Sequence, residues 1–442
     1  MIQLSDRFNY KRLLRFSFPS IVMVVFTSIY GVVDGFFVSN FAGKTPFAAV
    51  NFIMPVLMIL GCIGFMMGTG GSAIISKKMG ENDLKKANEI FSMLVYVSVI
   101  LGIILMVLGI VSIRTVATLL GAEGRLLEDC VTYGRIILLA IPFFILQYEF
   151  QCLFVTVAKP GLGLFITVAS GAANMILDAL FVAVFKWGLI GAAAATAVSQ
   201  FVGGVLPLIY FGRKNKSLLR IGKFKMDVRA LVKTCTNGSS ELMNNISMSI
   251  VSMLFNARLM KYAGEDGVAS YGVLMYVSMV FQAVFIGYSV GTAPVISYNY
   301  GAHNQDELKG LLKRSVVIIG GFSVIMFAAG EILSRPLSLI FVGYDEALLK
   351  MTVHAFTIFS VSFLFSGFNI FGSSFFTALN DGFTSALISF LRTMIFEIGA
   401  VIILPIFFEL DGIWCSVAAA EILALIVTVI LLVCKRKKYR YF

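Results

Sequence analysis

Residues 68–83 read GTGGSAIISKKMGEND, and residues 291–305 read GTAPVISYNYGAHNQ. Shifting the chain by 221 residues, half its length, lays the second stretch over the first from Gly70 onward. Gly70 falls on Gly291, Ile75-Ser76 on Ile296-Ser297 and Gly80 on Gly301. The same shift, without a gap, carries Ala42-Gly43 onto Ala263-Gly264, Phe150 onto Phe371 and Thr156 onto Thr377. It also carries Gly161 onto Gly382 and Gly191 onto Gly412. Apolar matches arise by chance in such a chain, so the glycines and hydroxyls carry the weight. The chain is a tandem duplication.

Working outward, the 442 residues are 59% hydrophobic and 13% charged, with mean hydropathy +0.92. A soluble domain is nearer 45–50% apolar and about 25% charged. Apolar stretches long enough to cross a bilayer fall at 13–41, 46–76, 89–113, 132–157, 162–185 and 189–212. A second series falls at 234–263, 268–298, 313–334, 351–379, 383–408 and 412–434. These runs exceed barrel strands in length and lack two-residue alternation, so they read as helices. The expected fold is an all-α polytopic membrane protein: twelve transmembrane helices in two six-helix lobes. Six spans per repeat is an even number, so both lobes share one orientation and a pseudo-twofold axis runs along the membrane normal. Residues 1–212 form the N-terminal lobe, 213–233 a basic linker, 234–434 the C-terminal lobe and 435–442 a basic tail. A midplane cavity between such lobes is the architecture of secondary transporters. No room remains for a soluble catalytic domain.

The net charge of +11 is explained by orientation. Loops on the side of the termini carry 25 Lys and Arg, the opposite loops carry 7, and Arg135, Arg258 and Arg392 lie within spans. The positive-inside rule then predicts both termini in the cytoplasm of a multi-pass plasma-membrane protein. A nucleic-acid partner has no support, and the tail KRKKYRYF is expected to meet anionic headgroups. The charged N-terminus runs into an apolar stretch with no small-residue cleavage site, which reads as a retained first helix.

Several chemistries find no pattern here. The six cysteines are scattered, and His303 and His354 stand 51 residues apart, so neither set has metal-ligand or disulfide spacing. Gly43-Lys44-Thr45 matches the end of a phosphate-binding loop, but its required upstream glycine position is Val38. No cofactor is expected.

Ionisable groups inside spans are costly and therefore mark function by default. Asp34 lies two-thirds along the first span, with Thr27 and Tyr30 on its face. In the fifth span Asn174 and Asp178, four apart, project to one side. Their repeat equivalents are Phe255 for Asp34, Ile395 for Asn174 and Gly399 for Asp178, so the acids are not part of the duplicated scaffold. One lobe has been specialised for charge. Glu149 sits in QYEFQ, where Gln147 and Gln151 share a face and Glu149 points nearly opposite, so the cavity receives one set or the other. Glu241 lies near the basic end of the seventh span. Arg392 and Glu397, five apart, are read as a neutralising pair, and Glu421, which falls on Gln200, as packing polarity.

At this point the chain resembles the MATE (multidrug and toxin extrusion) family of antiporters over essentially its whole length. The resemblance rests on Pro19 fifteen residues before Asp34, on VDGFFVSNFAG, on Pro55 and on the paired glycine stretches quoted above. NMILD in span five and GAAAATAVSQ in span six complete it. It implies two six-helix lobes around a cleft and export of amphipathic, often cationic compounds in exchange for H⁺ or Na⁺. It also implies that Asp34, Asn174 and Asp178 form the coupling-ion site. Glu241 is similar to a span-seven Glu that some branches use for a second cation site, paired with an acid in span ten. Here span ten has no Asp or Glu, only polar residues such as Asn369. Tyr30, Gln147, Gln151, Glu149, Glu241 and Asn369 are thus candidates for substrate or a second cation, and Pro19 and Gly31 are candidate bend points. A monomer is expected. Two rivals stand beside this reading: a flippase for lipid-linked saccharides, which would need cations in the cavity, and a membrane-embedded enzyme.

Overall fold

The computed structural model describes residues 3–42, 44–215 and 217–442, so Gly43 of the Gly43–Gly264 match lies outside the described residues. Among them, nine continuous helices are long and apolar enough to cross a membrane. A tenth span is the pair Glu346–Ser360 and Phe363–Ala378, bent by 48° at its break. Two of the nine runs are hairpins. Val228–Gly301 would extend about 110 Å if straight, yet Phe255 and Tyr271 stack with ring centroids 5.0 Å apart. The chain turns back at Gly264, where φ is 64°. Gly382–Tyr439 does the same at Glu409, with φ 49°, and Gly412 comes to lie against Leu404. Dividing both runs gives twelve spans among the described residues, as expected.

Local chemistry sets the helix starts. Asn9, Asp83, Asp227, Asn304, Asp345 and Asp381 each accept a backbone N–H of the following turn. The 221-residue register survives in these turns. The caps Asp83 and Asn304 are equivalents, each preceded by a left-handed residue, Asn82 at φ 60° and His303 at φ 54°. Gly188, at φ 56°, is likewise the equivalent of Glu409.

In the N-terminal lobe the second span packs on the fourth, the fourth on the third and sixth, and the fifth on the first and sixth. The lobes meet along the spans' halves nearest the termini. A β-carbon at Gly80 would strike the carbonyl oxygen of Tyr298, and one at Gly301 would strike that of Lys77. Gly70 lies on Gly238, and its equivalent Gly291 lies on Ser17, the equivalent of Gly238. Backbone is thus held against backbone across the lobe boundary. Glu307 joins the seam by accepting the Phe8 N–H at 2.9 Å and the Arg314 guanidinium at 3.0 Å.

Three features add to the sequence reading. The first helix, Tyr10–Phe37, is continuous through Pro19 and Gly31, and its departure from α geometry comes at the π-helical Val38–Ala42. The linker is strapped to the third span: Arg220 N–H donates to Asn88 at 2.7 Å and Lys86 meets Asp227 at 2.7 Å. The Lys86 ammonium holds the Asp227 carboxyl below its usual value, chiefly through that hydrogen bond. The tail is not free for headgroups along its whole length. Its helix runs to Tyr439, whose hydroxyl donates to Asp381 at 2.7 Å, and Tyr441 is buried against Phe375. The tyrosine rings go inward, Lys435 pairs with Asp381 at 3.3 Å, and Arg436, Lys437, Lys438 and Arg440 stay exposed.

Candidate functional site

The first and fifth spans cross closely: a β-carbon on Gly171 would meet the rings of Phe26 and Tyr30. That approach brings Asp34 and Asp178 together, and their carboxyl groups act directly on one another. Asp34 is 8% exposed, Asn174 1% and Asp178 0%. Thr196 of the sixth span donates to Asp34 at 3.4 Å and receives the Asn174 amide at 3.5 Å. The buried Tyr133 ring adjoins the same group. Among the described residues no cation pairs with either acid, and no donor reaches the Asp178 oxygens or the Asn174 carbonyl oxygen. An ionised carboxylate buried without compensation is strongly unfavourable. The pocket therefore has a standing demand for a proton or a small cation. Immediately after Asp178 the helix becomes π-helical over Ala179–Val184, and the first span does so four residues after Asp34. Such bulges concentrate at functional sites.

Tyr30 and Gln147 extend this pocket. Gln147 donates to Ser170 at 3.4 Å and lies against Gly203, and Tyr30 is within reach of both Gln147 and Asp34. Gln151 is buried with its amide nitrogen unpartnered. Glu149 goes the other way. It is fully buried beside Ser98 of the third span, with its backbone against Gly68.

The C-terminal lobe has a different site. A cavity of about 470 Å³ is lined chiefly by this lobe, by Glu241, Glu397, Glu421, Arg392 and Asn369 with Met and Tyr side chains around them, and Thr69, Ser72 and Cys152 of the N-terminal lobe also border it. Arg392 donates from Nε and Nη2 to Glu421 Oε1, at 2.9 and 2.6 Å. The other Glu421 oxygen receives the Asn369 amide at 2.7 Å, and Asn369 in turn accepts the Thr428 hydroxyl at 3.1 Å. Arg392 therefore pairs with Glu421 and not with Glu397 as expected. Glu421 on the facing helix lies within hydrogen-bond reach of the guanidinium, which turns both Nε and Nη2 to it. Glu241 and Glu397 keep only distant attraction to Arg392, so three carboxyls face one guanidinium. Glu421 was legible only as an intramembrane acid, because its partner lies 29 residues away. Thr196 gave one signal, a lone hydroxyl in an alanine run.

The MatE family model matches the chain at residues 19–180 and again at 242–403. The chain belongs to the MatE family. That the model matches twice, once per lobe, agrees with the duplication. Among similar proteins, the "Multidrug export protein MepA" of Staphylococcus saprophyticus is 26% identical over 431 residues, covering 94% of this chain and 92% of that one. The protein of that name from Staphylococcus aureus NCTC 8325 is 25% identical over 414 residues, 93% and 91% of the two chains. A MATE transporter solved in an outward-facing conformation superposes with TM-score 0.93 over 99% of this chain and 98% of its own, at 21% identity. A MATE structure in a bent conformation gives 0.88 over 98% of each chain, also at 21% identity. At that identity the likeness establishes the fold. This MatE chain is a multi-pass membrane transporter of the multidrug efflux family, and not an enzyme.

Proposed function

We propose that this chain is a secondary active antiporter that exports amphipathic, cationic drugs or toxins in exchange for H⁺ or Na⁺ by alternating access. Asp34, Asn174 and Asp178 hold the coupling ion, and the C-terminal cavity takes the substrate's cation at Glu241 and Glu397. The single observation that carries the reading is the meeting of Asp34 and Asp178 in a buried pocket with no cationic partner among the described residues. A proton or Na⁺ arriving there would relieve their repulsion and change the packing of the first span on the fifth.

The 25-to-7 distribution of Lys and Arg supports a plasma-membrane protein with both termini cytoplasmic. The lobes pack together at that face, which would be the inner one. The excess of carboxyls in the cavity suits a cationic substrate, and its Met and aromatic lining suits varied apolar shapes. A flippase for pyrophosphate-linked saccharides would need free cations there, whereas Arg392 is already held by Glu421. The protein works as a monomer, both sites lying within one chain.

The test is efflux of a cationic dye from proteoliposomes, driven in turn by a proton gradient and by a Na⁺ gradient. One of the two must drive efflux. Efflux under neither would overturn the antiport reading.

A further inference from the structure

A cleft of about 770 Å³ opens between the start of the first span and the start of the fifth, and it shares no lining residue with either site above. Lys11, Arg12 and Arg15 line it from one side and Lys159 from the other, against one carboxylate, Asp6. Asp6 is engaged by the Gln3 backbone N–H at 3.1 Å, and among the described residues none of the four cations has a carboxylate partner. Lys159 is fixed in place: its ammonium donates to the Tyr210 hydroxyl at 2.6 Å and lies 5.3 Å from the centre of that ring. Four cations gather around one concave space against the single carboxylate Asp6, and Arg12 also donates to the Arg7 carbonyl at 3.2 Å, so the cleft keeps an excess of positive charge.

The surface beside the cleft is apolar. Lys11, Arg15 and Phe18 follow one helical face at i, i+4 and i+7, and Phe18 is 62% exposed. On the fifth span Gly161, Phe165 and Val168 repeat the spacing, with Phe165 67% exposed. Two helices that pack together thus present cations above and bare rings below. That is the profile of a phospholipid, an anionic head over acyl chains. Basic pockets between spans on the cytoplasmic side bind such heads, and Arg and Lys match phosphate oxygens with charge-assisted bonds.

We propose that this cleft is a binding site for a phosphate group, supplied by an anionic phospholipid of the leaflet that meets the face of the termini. The lipid head would bridge the first and fifth spans, the two that carry Asp34 and Asp178. The proposal draws on the orientation given above only for naming that leaflet as the inner one.

The experiment titrates the purified full chain in detergent with soluble dihexanoyl phosphatidylglycerol, dihexanoyl phosphatidylcholine and inorganic phosphate, followed by calorimetry. Phosphatidylglycerol should bind saturably and phosphatidylcholine at least about tenfold more weakly. Arg15→Gln and Lys159→Gln, singly and together, should weaken phosphatidylglycerol binding by about tenfold or more. Arg15→Lys with Lys159→Arg should restore it, and Lys437→Gln with Lys438→Gln should leave it unchanged. Equal binding of the two lipids, or binding indifferent to the Arg15 and Lys159 changes, would overturn the proposal. Inorganic phosphate binding as tightly as phosphatidylglycerol would assign the cleft to a soluble anion and overturn the lipid as its source.

Discussion

Lys77 and Tyr298 occupy the same place in the two halves of the chain, and the carbonyl of each sits where the other half's glycine, Gly301 or Gly80, leaves room. The pseudo-twofold axis therefore passes through this contact. Under the proposed alternating access this boundary must open, since it joins the lobes at the face of the termini. Larger side chains here act on the closed state alone. Gly80→Leu or Gly301→Leu should destabilise closure by about 1–3 kcal/mol, the usual cost of overpacking, shifting the equilibrium roughly 5- to 150-fold. Spin-label distances between the two lobes at that face should lengthen. An unchanged distance distribution in both variants would show that the seam tolerates the bulk and does not govern closure.

The buried ion pair in the C-terminal lobe makes a second prediction. Arg392→Met leaves Glu421 inside the protein without its cation and should cost about 3–5 kcal/mol. Removing both charges, as Arg392→Met with Glu421→Leu, should recover most of that loss. Thermal unfolding in detergent measures both. A double variant no more stable than the single would mean the two residues are not each other's main partner.

The docked tail should respond to acid. Burial raises the Asp381 carboxyl, but the Tyr439 and Thr384 hydrogen bonds and the Lys435 charge outweigh it and hold the group below its ordinary value. A depressed carboxylate stabilises the fold above its unfolded value of about 3.9, and that stabilisation is lost as pH falls through the lower folded value. Protease access to the tail should therefore stay low from pH 7 to about 4 and rise below that. Asp381→Asn should raise it already at pH 7, in keeping with about 1.5–3 kcal/mol for a charged hydrogen bond. Equal protection of the variant and the parent at pH 7 would remove Asp381 as the tail's anchor.

Much of this molecule is legible in its sequence because the duplication is in strict register. A single shift relates Gly80 to Gly301, Asp83 to Asn304 and Gly188 to Glu409, and the structure uses each pair alike. The acids of the N-terminal lobe were legible for the opposite reason. They break the repeat: where Asp34 faces Asp178, its equivalent Phe255 stacks flat on Tyr271. The pairing of Arg392 with Glu421 was not legible, because it joins side chains 29 residues apart on two helices, and spacing within one helix does not report which helices face each other. Nor was the tail. KRKKYRYF is basic by composition, but whether Tyr439 and Tyr441 turn inward depends on a receptor built by Asp381 and Phe375, far away in sequence.

The two-carboxyl pocket predicts a pair of losses. Asp34→Asn and Asp178→Asn should each abolish gradient-driven dye efflux while leaving the amount of folded protein unchanged, because each keeps its shape and loses only its charge. Normal efflux in both single variants would remove the pair from the coupling step.

In the proposed antiport the two lobes divide the labour: the coupling ion binds in the N-terminal lobe and the cationic substrate in the C-terminal cavity. That division is tested by measuring ion binding and dye affinity side by side in purified Asp178→Asn and Glu241→Gln. Asp178→Asn should eliminate ion binding. Glu241→Gln should retain it and weaken cationic dyes more than neutral ones, by about tenfold for one lost charged contact. Loss of ion binding in Glu241→Gln with its retention in Asp178→Asn would place the coupling ion in the C-terminal cavity instead.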